Sequence, residues 1–337
     1  MKFELSIING KTVADILRPR RKECVDIVRH AYLTHAAGHS VNPDSYFLRF
    51  PDKPDCRIIA LPAYLGDDTD VAGLKWVASF PGNVQKGFPR ASAVLILNNY
   101  DTGYPFAILE GSIISASRTA ASAALAAYWL NGKARRAHSL GIVGTGFIAR
   151  YIYEFLVDTG WEIEEVQLYD AAPHEAEKFI KTACRQELHR SVTVASNAES
   201  LIRSCDLIVF TTVASTPYIT DAALFTHNPV VLHISLRDLA PEVLLQSQNV
   251  VDDVEHVMKA NTSPHLTEQL TGNRQFVTGS LAEVMLGERT VDHSRPVIFS
   301  PFGMGILDLA VGKWVYDQAV TSGQNVRLPT FFHEVVR

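Results

Sequence analysis

The sequence predicts an α/β protein of two units, a doubly wound parallel sheet preceded by an N-terminal α+β unit. Three observations predict it. From residue 119 onward, short apolar runs alternate with helical segments, the pattern of a parallel sheet with crossover helices. A glycine turn, Gly144-Thr145-Gly146, follows one of those runs and opens a helix. Before residue 118, strands instead follow one another with few helices between them. At 337 residues the chain is too long for one compact core and comfortable for two.

The elements follow in order. Met1–Ile8 alternates like a strand and reaches a turn at Asn9-Gly10. Lys11–Ala37 reads as helix, with a polar break at Arg18-Pro19-Arg20. Tyr46–Phe50 and Arg57–Leu61 read as strands separated by the turn-rich Pro51–Asp55. Gly73–Ser79 and Ala91–Leu97 are further strands, and the turn Asn98–Gly103 sends the chain back as a strand over Tyr104–Leu109. The Ala-rich run Thr119–Leu130 reads as a buried helix that Arg118 precedes. Strand Ser139–Val143 leads through the glycine turn into a helix ending near Leu156. Glu165–Tyr169, Val192–Ala195, Asp206–Thr211 and Val230–Ile234 read as strands, residues 174–188 as helix, and the stretch from Gly303 through Ala319 as the last helix.

Composition narrows the function. Hydrophobic residues make up 47% and charged residues 20%, ordinary for a globular protein, and the net charge of −5 argues against a nucleic-acid partner. No apolar run reaches the length of a membrane span, and the N-terminus lacks the apolar segment of a secretory signal. The four cysteines are scattered without a CxxC pair, which predicts neither a disulfide framework nor a zinc site and favours the cytoplasm. The histidines and acids have no metal-ligand spacing, and no GxSxG elbow suggests a serine hydrolase.

The run Gly141–Ala149 has the form GxGxxA between an apolar strand and a helix, the context that a Rossmann dinucleotide fingerprint requires. Gly144 permits the tight turn, Gly146 lets the backbone approach a pyrophosphate, and Ala149 lets helix and strand pack closely. Asp170, at the end of the next strand, is placed to accept the ribose hydroxyls of NAD and to repel a 2′-phosphate. Thr211-Thr212-Val213 follows a buried strand and is expected to border the nicotinamide half. The competing reading is a glycine turn and a surface carboxylate with no nucleotide.

Three further residues invite a chemical role. Lys75 interrupts the apolar strand Leu74–Val77, Arg118 stands before the apolar helix, and Asp238 follows the end of a buried strand. Cations in such places suit a substrate carboxylate, and arginine can hold one bidentately. A carboxylate at a strand end could orient and deprotonate water. The plainer alternatives are solvated cations and, for Asp238, an N-cap of a helix near Pro241.

Arg90–Gly111, Ser117–Ala121, Gly73–Trp76, the glycine loop, and Pro301–Met304 before Asp308 closely resemble the ornithine cyclodeaminase/μ-crystallin family, in order and over nearly the whole chain. The resemblance implies a homodimer, with residues 1–118 and 303–337 as the substrate-binding and dimerisation domain and 119–302 as the NAD-binding domain. It implies a substrate clamp of Arg49, Lys75 and Arg118, with Lys75 and Asp238 catalytic. The cofactor contacts it implies are Thr119, Gly144, Thr145, Gly146, Phe147, Ile148, Asp170, Thr211, Thr212, Val213, Ser235, Gly303 and Met304.

Within the family, Tyr46–Arg49, Arg57–Pro62, Arg90–Ser92 and Ile234–Asp238 are most like the members that cleave N-(2-amino-2-carboxyethyl)-L-glutamate oxidatively to L-2,3-diaminopropionate, a precursor of siderophores and peptide antibiotics. The cyclodeaminases carry a longer glycine-containing loop before the acidic residue. Cyclisation of ornithine, reduction of an imine, dehydrogenation of a simple amino acid, and nucleotide binding without turnover remain alternatives. A substrate with three carboxylates needs an additional cation, for which Arg90 is the leading candidate and Arg237 the weaker one.

Overall fold

The structure is a computed structural model and describes residues 4–333. Met1–Phe3, the start of the expected first strand, lie outside the described residues. The chain divides into two compact units, Met1–Arg118 with Met304–Arg337, and Thr119–Gly303.

In chain order the first elements are β1 (Leu5–Ile8), α1 (Gly10–Leu17), α2 (Arg21–Ala36), β2 (Ser40–Val41), β3 (Tyr46–Phe50), β4 (Lys53–Leu65), β5 (Val71–Ser79), β6 (Ala91–Asn99), β7 (Pro105–Glu110) and α3 (Gly111–Leu130). There follow β8 (Arg136–Val143), α4 (Phe147–Asp158), β9 (Glu162–Tyr169), α5 (Pro173–Thr182), β10 (Ser191–Val194), α6 (Ala198–Ser204), β11 (Leu207–Phe210) and β12 (Val230–His233). Next come α7 (Pro241–Leu245), β13 (Gln248–Val251), α8 (Val254–Val257), α9 (Ser263–Thr271), β14 (Val277–Ser280), α10 (Leu281–Leu286), β15 (Val297–Ser300), α11 (Gly305–Thr321) and β16 (Val326–Leu328).

In the first unit one sheet runs in the order β16-β1-β7-β6-β5-β4-β2, with β3 also pairing to β4. β1 and β7 are parallel and the other neighbours antiparallel. Leu61, Lys75, Leu95 and Leu109 form one cross-strand row, on the same face as Gly73. Helix α11 packs on that face. A Cβ added at Gly73 would stand 2.4 Å from the Ile96 carbonyl oxygen and 2.7 Å from Leu309 Cδ2, so only glycine admits the helix so near. The opposite face presents Tyr46, Leu48, Trp76 and Val94, all exposed.

Three local expectations need correction. Asn9 does not turn the chain; its side chain accepts from Thr12 N at 3.0 Å and caps α1. β4 begins at Lys53, inside the supposed turn, and runs through Pro62. That proline sits between the stretches that pair with β3 and with β2, where its missing N–H leaves no outer partner unsatisfied. Helix α3 starts at Gly111 rather than Thr119, because the Glu110 carboxylate accepts from Ser112 N and Ile113 N and satisfies two first-turn donors. Arg118 therefore lies within the helix, on the same face as Ser115 one turn earlier.

The second unit holds a fully parallel sheet in the order β10-β9-β8-β11-β12-β15-β13-β14. Its first six strands have the arrangement of a Rossmann sheet, whose order reverses between β8 and β11. Phe210, Val231 and Ile298 pack with Leu201 and Ile202 of α6 in one buried cluster. Ligands bind beyond the carboxyl ends of such strands, so the loops after Val143, Phe210 and His233 are the places to look.

Candidate active site

In the first unit, Lys75 is 3% exposed, and its Nζ donates to Asp308 Oδ2 at 2.6 Å and to Ser115 Oγ at 3.2 Å. Arg118 Nε donates to the other oxygen of Asp308 at 3.2 Å. Strand β5 supplies Lys75, α3 supplies Ser115 and Arg118, and α11 supplies Asp308. The cluster thus holds two cations on one carboxylate. Once a further carboxylate binds there, the charges balance. Burial, and then repulsion by Arg118, lowers the Lys75 pKa to about 8, against the opposing pull of Asp308. An ammonium so placed can bind an anion and can also give up its proton near neutral pH.

Asp308 is the charged residue of this cluster that sequence reasoning does not pick out as functional. Its signal was a lone acid in the apolar run Gly305–Gly312, where an unpaired charge would be costly. Arg49 is not brought to this pair. It stands opposite Arg57, and Arg57 is four residues along β4 from Leu61, the partner of Lys75. At about 3.4 Å per residue those rows are roughly 13 Å apart. The Arg49 guanidinium instead lies 5.1 Å from the Phe47 ring centroid. Arg90, just before β6, has a buried Nε without a hydrogen-bond partner.

In the second unit the glycine loop meets the steric demands of a dinucleotide. Gly144 has φ +87, and a Cβ there would stand 2.9 Å from the Thr211 backbone. A Cβ at Gly146 would meet nothing within 4 Å, and α4 begins at Phe147 with no side-chain cap. Its first N–H groups can therefore serve an anion. Asp170 anchors the loop: Oδ2 accepts from Thr145 N at 2.8 Å and Thr145 Oγ1 at 2.9 Å, and Oδ1 accepts from Ala172 N at 3.0 Å. A carboxylate offers about four lone-pair sites, so room is left for a ribose hydroxyl.

Of the remaining cofactor candidates, Thr211, Thr212 and Val213 follow the end of β11 and Gly303 follows that of β15. Thr211 Oγ1 donates to Gly144 O at 2.7 Å, Val213 and Phe147 are exposed, and Ile148 lies in the first turn of α4. Thr119 lies in α3. Gly303 N donates to the buried Asp252 carboxylate at 2.6 Å, and Met304 is the N-cap residue of α11. Asp252 also accepts from Phe302 N at 2.9 Å and so fixes this loop, a role the sequence reading missed.

Asp238 is completely buried. The N-cap position before Pro241 belongs to Ala240, so Asp238 does not cap that helix. Its carboxylate accepts from Thr212 Oγ1 at 2.5 Å and from Ser235 Oγ, and lies 3.3 Å from His233 Nε2. Burial pushes the carboxyl up, but hydrogen bonds from His233, Ser235 and Thr212 outweigh it and hold the group below the usual range. The carboxylate cannot face solvent directly. Its hydroxyl partners are Thr212 and Ser235, both half-buried, and the exposed Tyr218. Arg237 is engaged elsewhere, its Nη2 donating to Ala260 O at 2.8 Å.

The ornithine cyclodeaminase/mu-crystallin family profile matches residues 11–323, and the chain belongs to that family. It is 28% identical over 329 residues to N-((2S)-2-amino-2-carboxyethyl)-L-glutamate dehydrogenase of Staphylococcus aureus, covering 95% of this chain and 96% of that protein. It is 30% identical over 317 residues to alanine dehydrogenase of Archaeoglobus fulgidus, covering 92% of this chain and 94% of that protein. Among solved structures, an archaeal alanine dehydrogenase dimer with bound NAD matches with a TM-score of 0.86 at 28% identity, covering 98% of this chain and 100% of that one.

The buried charge cluster has a measurable consequence. Asp308→Ala leaves Lys75 and Arg118 without their carboxylate and is expected to destabilise the fold by about 3–5 kcal/mol in urea unfolding. Lys75→Met, Arg118→Leu and Asp308→Leu combined should lose clearly less, since no unpaired charge remains. Equal losses in both variants would mean that burial of charge is not what the cluster manages.

Proposed function

We propose that the protein is an NAD-dependent dehydrogenase that oxidatively cleaves N-(2-amino-2-carboxyethyl)-L-glutamate to L-2,3-diaminopropionate and 2-oxoglutarate. The observation that carries this reading is the surplus cation buried at Lys75–Asp308–Arg118, a receptor for an amino-acid carboxylate. Similarity over nearly the full length to the dehydrogenase of that substrate supports this choice among amino acids. NAD is held at Gly144, Thr145, Gly146, Phe147 and Ile148 through the start of α4, with Asp170 on the adenosine ribose. Thr119, Thr211, Thr212, Val213, Ser235, Gly303 and Met304 complete its contacts. The product serves siderophore or peptide-antibiotic assembly.

Bound NAD+ supplies the acceptor for the hydride that leaves the glutamyl Cα. The chain does the rest. Lys75 and Arg118 fix a substrate carboxylate, and Arg118 adds geometric definition through its planar fork. Water adds to the resulting imine, and its proton passes through the hydroxyl of Ser235 or Thr212 to Asp238. The carbinolamine then expels the diaminopropionate amine, which takes a proton from Lys75, whose pKa burial lowers to about 8, and the hydroxyl proton returns to Lys75 as the 2-oxoglutarate carbonyl forms. Arg90 and Arg49 take the remaining carboxylates. The protein works in the cytoplasm as a homodimer, its exposed face of Tyr46, Leu48, Trp76 and Val94 being too apolar to stay in water.

Purified protein with NAD+ and the tricarboxylate should yield NADH and 2-oxoglutarate in equal amounts. Proline from ornithine without net NADH, or NADH from alanine alone, would overturn the assignment. Asp170→Ala should weaken NAD binding about tenfold to a hundredfold, as expected for hydrogen bonds to a charged group, and should reduce discrimination against NADP in titration calorimetry. Undiminished discrimination would remove Asp170 from the ribose site. Arg90→Ala should raise KM for the tricarboxylate about tenfold to a hundredfold with NAD affinity unchanged. An unchanged KM would leave Arg90 as a loop cation.

A further inference from the structure

His233 is the last residue of β12 and has no exposed surface. Its Nδ1 is 3.3 Å from Ser300 Oγ, and its ring stands edge-on to Phe210 with centroids 5.9 Å apart. The other nitrogen faces a single residue. Asp238 N donates to Nε2 at 3.1 Å, and Asp238 Oδ2 lies 3.3 Å from the same atom. As an acceptor, Nε2 holds the Asp238 backbone; as a donor, it holds the carboxylate. A single nitrogen plays one of these parts at a time: with the ring proton on Nδ1 it accepts the Asp238 N–H, and with a proton on Nε2 it donates to the carboxylate.

The loop between them needs such a hold. Leu236 has φ +68, in the left-handed region that a branched side chain disfavours. Ile234 N and Ser235 N both donate to Phe210 O at 3.0 Å, and Ser263 N donates to Leu236 O at 2.7 Å. These bonds pin the start and middle of the loop. Tyr218 N and Ile219 N donate to Asp238 O at 3.0 Å and pin its end. The Asp238 N–H is left to His233.

We propose that His233 is the positioning residue of Asp238, its Nε2 accepting the Asp238 N–H in the Nδ1–H form of the ring and donating to the charged carboxylate in the Nε2–H form. The inference rests on the reading of Asp238 as the group that receives the proton of the attacking water. The charged and titratable groups that face Asp238 are His233, the Tyr218 hydroxyl and the Arg237 guanidinium. The last two stay in place in every variant below.

His233→Leu removes either bond at similar volume. It should lower kcat about tenfold to a hundredfold, the scale of a slightly misplaced reacting group, with KM and NAD affinity little changed. It should also move the acidic limb of the kcat–pH profile to higher pH. The sign follows from removing a hydrogen bond that favours the ionised carboxyl, so Asp238 stays protonated to higher pH. His233→Gln, whose amide carries both a donor and an acceptor, should restore most of kcat. A folded His233→Leu protein with kcat and acidic limb unchanged would overturn the proposal. If His233→Leu does not fold, nitrogen-15 imidazole spectra of the wild-type protein decide. The His233 Nε2 resonance should shift as Asp238 titrates on the acid side, and a resonance that stays still would reject the contact. Those spectra need no turnover. NADH formation by the wild type separately tests the substrate reading, so the two failures are distinguishable.

Discussion

The chemistry of the first unit depends on one buried carboxylate. Asp308 sits on an apolar helix packed against a sheet, where its charge is unfavourable without partners. Lys75 from the sheet and Arg118 from α3 provide them, and so bind three separate elements to one point. Two cations on one carboxylate leave the cluster short of a negative charge. In the proposed function that same imbalance supplies the affinity for a substrate carboxylate. It also explains why Lys75 is poised to lose a proton: burial and Arg118 act against its charge, and Asp308 only partly compensates.

The second unit solves a related problem with backbone groups. The N–H groups at the start of α4 have no side-chain cap, and Gly144 and Gly146 keep the approach to them clear. Asp170 and Asp252 are spent chiefly on geometry, one tying down Thr145 and the other the Phe302–Gly303 loop. Asp238 follows the same logic, with hydroxyl, imidazole and backbone partners holding its place. In each case a carboxylate at or near the end of a parallel strand organises the loop beside it.

Much of this was legible in the sequence. The glycine loop, Asp170 and Asp238 stand at strand ends that periodicity locates, and Lys75 betrays itself by interrupting an apolar strand. What escaped depended on tertiary pairing. The start of α3 was hidden because its cap, Glu110, is the last residue of a strand, and the small polar residues after it carry no apolar period. β13, β14 and β15 are four residues long, as β11 and β12 are, but in the first two Gln248, Asn249, Thr278 and Ser280 interrupt the apolar run by which such short strands are found. Asp308 needed partners far along the chain before its role could be seen, and His233, five residues before Asp238, needed the fold of the loop between them. Arg49 stands on a separate row of the sheet, opposite Arg57, so its place in a substrate clamp rests on similarity to known proteins and not on a contact with Lys75.

The most direct test of the buried charge imbalance is the titration of Lys75 itself. The nitrogen-15 signal of its ammonium can be followed with pH in the free protein and in the presence of L-glutamate, with Lys75→Met for assignment. The free protein is expected to titrate near pH 8. The midpoint should rise when a carboxylate binds, because an added negative charge favours the ammonium. A midpoint at the ordinary lysine value of about 10.4 in the free protein, unmoved by glutamate, would contradict the account.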